Sequence, residues 1–211
     1  MLIVLSLTTP VTKFGFIDRL IVGCELNNIE PVLIFNKSDG VDESEKEKYR
    51  FYNDIGIETI FISAKTGENI DDLKEIVHEK KTMFLGLSGV GKSTILNKLF
   101  NKDIAKTTDV SDYNMKGRHT TTEYQCYFLD DDTGIIDSPG IKQFQFFDIN
   151  KKDLQKYFIE FIDKKKNCKF NDCIHIPENG CYIKDCVESG EINKNRYESY
   201  IKIYNSLDEI N

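Results

Sequence analysis

At 211 residues the chain has room for one large domain, or one domain with a small companion. It is 40% hydrophobic with 14 Phe and 10 Tyr, which excludes wholesale disorder, and no apolar run approaches the roughly 18 residues of a membrane-spanning helix. The net charge is −7, from 28 basic and 35 acidic residues, which is not the profile of a free-standing nucleic-acid binder. The acidic excess lies in residues 1–150 and residues 151–211 are balanced, so a polyanionic partner is met more readily through the C-terminal third.

In chain order, Leu2–Leu5 reads as a buried strand and not as a signal peptide, because no basic leader precedes it. Phe14, Ile17, Leu20, Ile21 and Cys24 recur at helical spacing. The apolar runs Val32–Phe35, Thr59–Ile62 and Thr82–Leu85 predict strands that stop at Asn36, Ser63 and Gly86. Ile70, Leu73, Ile76 and Val77 mark a helix between them, Ser93–Phe100 another, and the charged stretch Asp42–Lys48 a solvated helix face. Tyr127–Leu129 and Ile135-Ile136 predict two more strands. This alternation indicates an α/β sheet, in which ligands bind beyond the carboxyl ends of the strands. The pattern changes near residue 148, so the expected domains are 1–148 and 149–211. In the second, Lys151–Asp163 predicts a helix, residues 167–181 an irregular Cys-bearing stretch, and Tyr197, Tyr200, Ile201 and Tyr204 an apolar stripe on a last helix after a break at Gly190.

Gly86, Leu87, Ser88, Gly89, Val90, Gly91, Lys92 and Ser93 spell G-x-x-x-x-G-K-S between a strand and a helix that continues through Thr94. Glycines let main-chain N–H groups approach phosphate oxygens, a lysine adds charge at the β and γ phosphates, and a serine hydroxyl serves Mg²⁺. Asp137 and Gly140 form D-S-P-G, a weak motif alone, in which the Asp faces Mg²⁺ and the Gly amide senses the γ-phosphate. Asn36, Lys37, Ser38 and Asp39 spell N-K-S-D, and a carboxylate at Asp39 pairs with the ring N–H and exocyclic amine of guanine but finds no such pair on adenine. Ser63, Ala64 and Lys65 suit a loop that backs the base with a main-chain amide. Between the phosphate loop and D-x-x-G lies Gly117-Arg-His-Thr-Thr-Thr122, where Thr121, with Thr120 next, is the expected threonine that reaches Mg²⁺ and γ-phosphate when the triphosphate is bound. Cys168, Cys173, His175 and Cys181 match a closed Cys₃His zinc site, and Cys24, Cys126 and Cys186 are expected as buried thiols. His78, near a helix end, is expected at the surface. Six Cys without a secretory leader fit a reducing cytoplasm.

The base-reading motifs precede the phosphate loop, the reverse of the usual GTPase order, as in a sheet cut at a different surface loop. In that order, together with C-x4-C-x-H-x5-C and the tail Gly190-Glu-Ile and Arg196-Tyr-Glu-Ser-Tyr200, the chain resembles the circularly permuted ribosome-associated GTPases of bacteria, the RsgA (YjeQ) family. The resemblance implies a circularly permuted P-loop GTPase domain followed by a small α-helical zinc domain. It implies a cytoplasmic GTPase using GTP/GDP, Mg²⁺ and Zn²⁺, acting late in maturation of the small (30S) ribosomal subunit and its 16S rRNA. Hydrolysis would be stimulated by that subunit, with no membrane partner and a monomeric chain. In the family the histidine of the H-T-T segment, His119 here, stands in for the water-orienting glutamine, whose place is taken by Ile141. Together with Thr121, Lys92 and Asp137 it forms the expected catalytic set.

Two departures accompany the resemblance. Ser138 stands where the family usually has Thr, and the sequence begins at the GTPase domain's first strand, where the family carries an OB-fold domain before it; whether this is a piece of a longer chain or a protein without that contact, tight rRNA binding by this chain alone is not expected. The rival readings are a non-hydrolysing, guanine-nucleotide-gated rRNA-binding module and an ATP-using P-loop kinase, the latter disfavoured by N-K-S-D.

Overall fold

The computed structural model describes residues 1–101, 124–139 and 149–207. Its strands are β1 (Leu2–Ser6), β2 (Val32–Asn36), β3 (Thr59–Phe61), β4 (Lys81–Leu85), β5 (Gln125–Phe128) and β6 (Gly134–Asp137). Its helices are α1 (Phe14–Leu26), α2 (Glu43–Asp54), α3 (Ile70–Val77), α4 (Lys92–Phe100), α5 (Tyr182–Ser189) and α6 (Lys194–Ser206). No described helix is long and apolar enough to cross a membrane. So far as they are described, Met1–Thr12 with Pro31–Gln143 form one compact unit, and Lys13–Glu30 with Phe144–Asn211 form a second.

The first unit is built on one sheet in the order β3-β2-β1-β4-β6-β5. Every pairing is parallel except β5 with β6. The exception follows from chain length: parallel neighbours need a crossover of a dozen or so residues, whereas Leu129–Thr133 leaves room only for a hairpin. Asp130 closes that turn, its Oδ1 accepting from the N–H of Asp132 (2.9 Å) and Thr133 (2.6 Å). The central strands read as continuous apolar runs because both faces are covered. Leu2, Val4, Ile34, Phe84 and Ile135 pack with Leu73 and Val77 of α3 and with Ile95, Leu96 and Leu99 of α4. The charged helix α2 starts at Asp42, whose carboxylate accepts the Glu45 N–H at 3.1 Å. Strand β4, with the phosphate loop at its end, lies between β1 and β6, and the base-reading strands β2 and β3 lie beyond β1. The permuted order therefore still brings the ends of β1, β2 and β4 side by side.

The second unit is helical. α1 packs on α6, and Leu154, Phe158, Phe161, Ile183, Ile192, Tyr200 and Ile203 share a core with Val22 of α1. Arg196 of α6 is fully buried and binds Asp18 of α1 (2.8 Å) and both carboxylate oxygens of Glu160 (2.7 and 3.0 Å). Removing one partner from such a cluster strands a charge and costs about 3–5 kcal/mol. The guanidinium also lies 4.5 Å from the centroid of the Phe158 ring.

Two expectations are corrected here. Lys151–Asp163 is not an α-helix but a succession of 3₁₀ segments, Lys151–Tyr157 and Ile159–Phe161, followed by Lys164–Asn167. The aromatic and β-branched run Tyr157–Ile162 has weak helix propensity, and Phe158 leaves the helical region at φ −105°, ψ 95°. Tertiary contacts hold it there: Phe158 and Phe161 each lie 5.1 Å from the ring of Tyr200, while Glu160 clasps Arg196. Cys126 is exposed, because it sits on the outward side of the edge strand β5; Cys24 and Cys186 are buried and His78 is exposed, as expected.

Candidate functional site

Strand β4 ends at a glycine because nothing larger fits. A Cβ on Gly86 would lie 2.3 Å from the Val4 carbonyl oxygen. Gly91, at φ +103°, opens α4, and a Cβ there would lie 2.2 Å from Asn36 Nδ2. Val90 is buried, Leu87 half-buried, and Ser88, Gly89, Ser93 and Thr94 are exposed at the loop and the start of α4. Lys92 turns back over the loop, its Nζ donating to the carbonyls of Gly86 (3.1 Å) and Leu87 (3.4 Å).

Asp137 ends β6 in register with Phe84 of β4, and Ser138 Oγ donates to the Phe84 carbonyl at 2.6 Å. Burial raises the Asp137 pKa and lowers that of Lys92, and each opposite charge partly counters the other's shift. Asp137 Oδ1 is buried without a hydrogen-bond partner. An orphaned carboxylate oxygen facing a phosphate loop fits a Mg²⁺ shell, with the Ser93 hydroxyl at the start of α4 as a second oxygen donor.

The base side is assembled around Asn36. Its Nδ2 donates to the Val90 carbonyl (2.9 Å), and its Oδ1 accepts the Ala64 N–H (3.0 Å). One buried amide thus ties N-K-S-D to both the phosphate loop and S-A-K. Lys37, at φ +65°, donates from Nζ to the carbonyls of Thr9 (2.6 Å) and Gly89 (2.9 Å). Ser38 Oγ donates to Glu68 (2.7 Å), and Ser63 Oγ donates to Asp39 Oδ1 (2.7 Å). The exposed Lys65 ammonium stands 3.9 Å from Asp39 Oδ2. Asn36, Lys37, Asp39, Gly40, Ala64, Lys65, Gly91 and Thr94 line one cavity of about 320 Å³, together with Thr8. Its size suits a nucleoside. His119, Thr120, Thr121 and Gly140 lie outside the described residues.

In the second unit the donor atoms of Cys168, Cys173, His175 and Cys181 all lie within 4.8 Å of one another. His175 Nδ1 is 3.6 Å from Cys168 Sγ and 3.4 Å from Cys181 Sγ. A Zn–S bond of about 2.3 Å and a Zn–N bond of about 2.05 Å at the tetrahedral angle put sulfur and nitrogen about 3.5 Å apart, so the donor set fits zinc. Burial pushes the Cys173 thiol up and holds His175 down at about 4, which leaves the imidazole neutral and ready to ligate. Glu178 accepts the N–H groups of Ile174 (2.8 Å) and Ile176 (3.0 Å), and Tyr197 and Tyr200 donate to the His175 and Ile174 carbonyls.

Sequence reasoning passed over three polar residues here: Thr8, Glu68 and Gln155. Thr8 follows the carboxyl end of β1, where ligands are expected in such sheets, and that rule was the only available signal. Gln155 had none. Its Oε1 stands 3.0 Å from His175 Nε2, so it takes the Nε2–H and leaves Nδ1 for the metal. Gln155→Leu is expected to weaken zinc binding by roughly 10- to 100-fold in a chelator competition, while Gln155→Glu, which keeps the acceptor, retains it. Equal affinity in all three proteins would remove Gln155 from that role.

Residues 1–147 match the RsgA GTPase family. The small ribosomal subunit biogenesis GTPase RsgA of Flavobacterium psychrophilum is 39% identical over 211 residues, covering 98% of this chain and 65% of that protein. Its namesake in Haemophilus influenzae strain 86-028NP is 36% identical over 212 residues, covering 99% of this chain and 61% of its own length. The chain thus spans somewhat less than two thirds of these relatives. Among solved structures, YjeQ from Thermotoga maritima superposes with a TM-score of 0.79 at 35% identity, covering 98% of this chain and 70% of that one. YloQ, described as a circularly permuted GTPase, gives 0.74 at 25% identity, covering 97% and 67%. Motif order, sheet order and these likenesses agree: the chain belongs to the RsgA GTPase family and has its circularly permuted fold.

Proposed function

We propose that the chain binds GTP with Mg²⁺ and hydrolyses it to GDP and phosphate, in the cytoplasm, as a monomer that acts late in maturation of the small ribosomal subunit and its 16S rRNA. The observation that carries the reading is the single cavity shared by Asp39, Ala64, Gly91 and Thr94, with Asn36 bonded to both flanking loops. In this reading Asp39 takes the guanine edge, freed from Lys65 and held by Ser63. The phosphate-loop amides and Lys92 grip the β and γ phosphates. Mg²⁺, held by Ser93 and facing Asp137, supplies charge neutralisation on the phosphates. Thr121 and the Gly140 amide sense the γ-phosphate, and His119 orients the attacking water in place of Ile141. Zinc, held by Cys168, Cys173, His175 and Cys181, closes the second unit and leaves no open position for catalysis. The curated relatives' names support the ribosomal assignment.

Phosphate release from GTP, measured with and without purified small subunits, tests this. The expected result is slow release by the chain alone and an acceleration of about 10³-fold or more with subunits. Asp39→Asn should move the preference from GTP toward xanthosine triphosphate in the same assay. GTP-dependent subunit binding without release would favour the non-hydrolysing module instead, and undiminished GTP preference in Asp39→Asn would reject the base assignment.

A further inference from the structure

Among the described residues, the end of the sheet away from the base-reading strands is an open edge. β5 pairs with β6 on one side and, among the described residues, with no strand on the other. The hydrogen-bond alternation fixes which groups point outward. Leu129 N–H donates to the Thr133 carbonyl, so in the antiparallel ladder Tyr127 and Gln125 also face β6, while Cys126 and Phe128 direct their N–H and C=O away from it. Folded proteins usually protect such an edge with lysine, proline or a bulge. This one instead carries aromatic surface: Tyr124 is 67% exposed and Phe128 is 64% exposed. The Phe128 ring lies across Gly134, where a side chain would crowd it at 3.2 Å.

The adjoining turn is acidic, with Asp130, Asp131 and Asp132 all exposed. Among the described residues one cation lies on the aromatic ring: Lys81, 5.3 Å from the Phe128 centroid, with its ammonium bonded to the Asp131 carbonyl. A polyanion is repelled by such a rim, and a cationic strand is drawn to it. We propose that the outer edge of β5 is a docking edge that takes up an extended, lysine- and arginine-bearing protein segment as an added strand. Main-chain hydrogen bonds to Cys126 and Phe128 supply affinity, and the aromatic face with its acidic turn supplies selectivity. The β5–β6 hairpin begins shortly after Thr121 and ends at Asp137, so a strand docked here is held by the element whose two ends meet the nucleotide. That linkage rests on the GTPase reading above; the docking does not.

The probe is a fluorescent synthetic peptide of alternating arginine and valine, titrated into the intact chain, with amide exchange read at single residues. Saturable binding is expected, with exchange slowed at Cys126 and Phe128 and unchanged at Gln125 and Tyr127, which are already paired. Phe128→Glu, at an exposed position, should abolish binding without unfolding. Asp131→Lys with Asp132→Lys should weaken it roughly tenfold, and a glutamate–valine peptide should then bind in its place. Binding indifferent to these variants, or no slowing at Cys126 and Phe128 at saturation, overturns the proposal. So does an edge protected by self-association in the absence of peptide, or a single-stranded RNA that binds there more tightly than the peptide. Affinities compared with GDP and with a non-hydrolysable GTP analogue test the linkage: equal values reject it and leave docking intact. Failure of the chain to bind nucleotide at all rejects the GTPase reading and not the docking.

Discussion

Cys173→Ser is expected to release the metal and unfold the second unit. Three thiolates and one imidazole close the site, and a structural zinc of this kind contributes an apparent 10–16 kcal/mol at neutral pH. That rivals or exceeds the roughly 5–15 kcal/mol of net stability typical of a whole domain. The irregular stretch from Cys168 to Cys181 has little regular secondary structure to hold it otherwise, and His175 sits at φ +65°, a conformation that a tertiary restraint must maintain. Metal analysis should find one zinc per chain in the parent protein and none in the variant. Near-ultraviolet circular dichroism should lose the part contributed by Tyr197, Tyr200 and their neighbours while the buried Tyr49 and Tyr52 of the first unit keep theirs, and a strong chelator should reproduce the loss in the parent. A zinc-free chain that keeps its full aromatic signal would defeat the assignment.

Lys92→Ala is expected to abolish measurable GTP binding in calorimetry while leaving the melting temperature nearly unchanged. The two halves of that expectation have different causes. Without a nucleotide, Lys92 is a buried ammonium that burial disfavours, and the nearby Asp137 compensates only in part. Removing such a cation takes its own desolvation penalty with it, and Asp137, whose carboxyl burial already pushes toward the protonated form, takes up a proton instead of standing as an unpaired charge, so the cost to the fold is small. With a nucleotide bound, the same ammonium faces phosphate oxygens, and charge-assisted bonds contribute about 1.5–3 kcal/mol each. Two of them place the loss at roughly a hundredfold or more. Unchanged GTP affinity would reject the phosphate-loop assignment. A large fall in melting temperature would instead mark Lys92 as a structural tie to Gly86 and Leu87.

Much of the nucleotide site was legible because its residues are local. A phosphate loop is one stretch, Gly86–Ser93, whose glycines are demanded by backbone approach, and N-K-S-D and S-A-K are short runs at strand ends. What local pattern could not reveal was how the stretches are tied. Asn36 reaches Val90, 54 residues away. Lys37 bonds the Thr9 carbonyl, and Thr8 enters the cavity from a loop without a recognisable motif. The Cys₃His cluster was equally plain from spacing, but Gln155 was not, because it approaches His175 from a segment 20 residues earlier whose winding depends on tertiary contacts. The same contacts explain why Lys151–Asp163 misled: its apolar spacing suits a helix, and the packing of Phe158, Phe161 and Glu160 around Tyr200 and Arg196 overrides it.

The sequence by itself determined the α/β class, the permuted order of the motifs, the residues proposed for guanine, phosphate and metal, and the family. These follow from short-range rules: which residues tolerate a phosphate at the backbone, which alternate along a strand, which thiols cluster. Tertiary structure alone decided that Asp137 Oδ1 is buried without a hydrogen-bond partner beside the Lys92 charge, and that α1 and α6 are joined through Asp18 and Arg196 across 178 residues. Each of these depends on a partner far away in the chain, and burial, desolvation and pairing acquire their values only once that partner is in place.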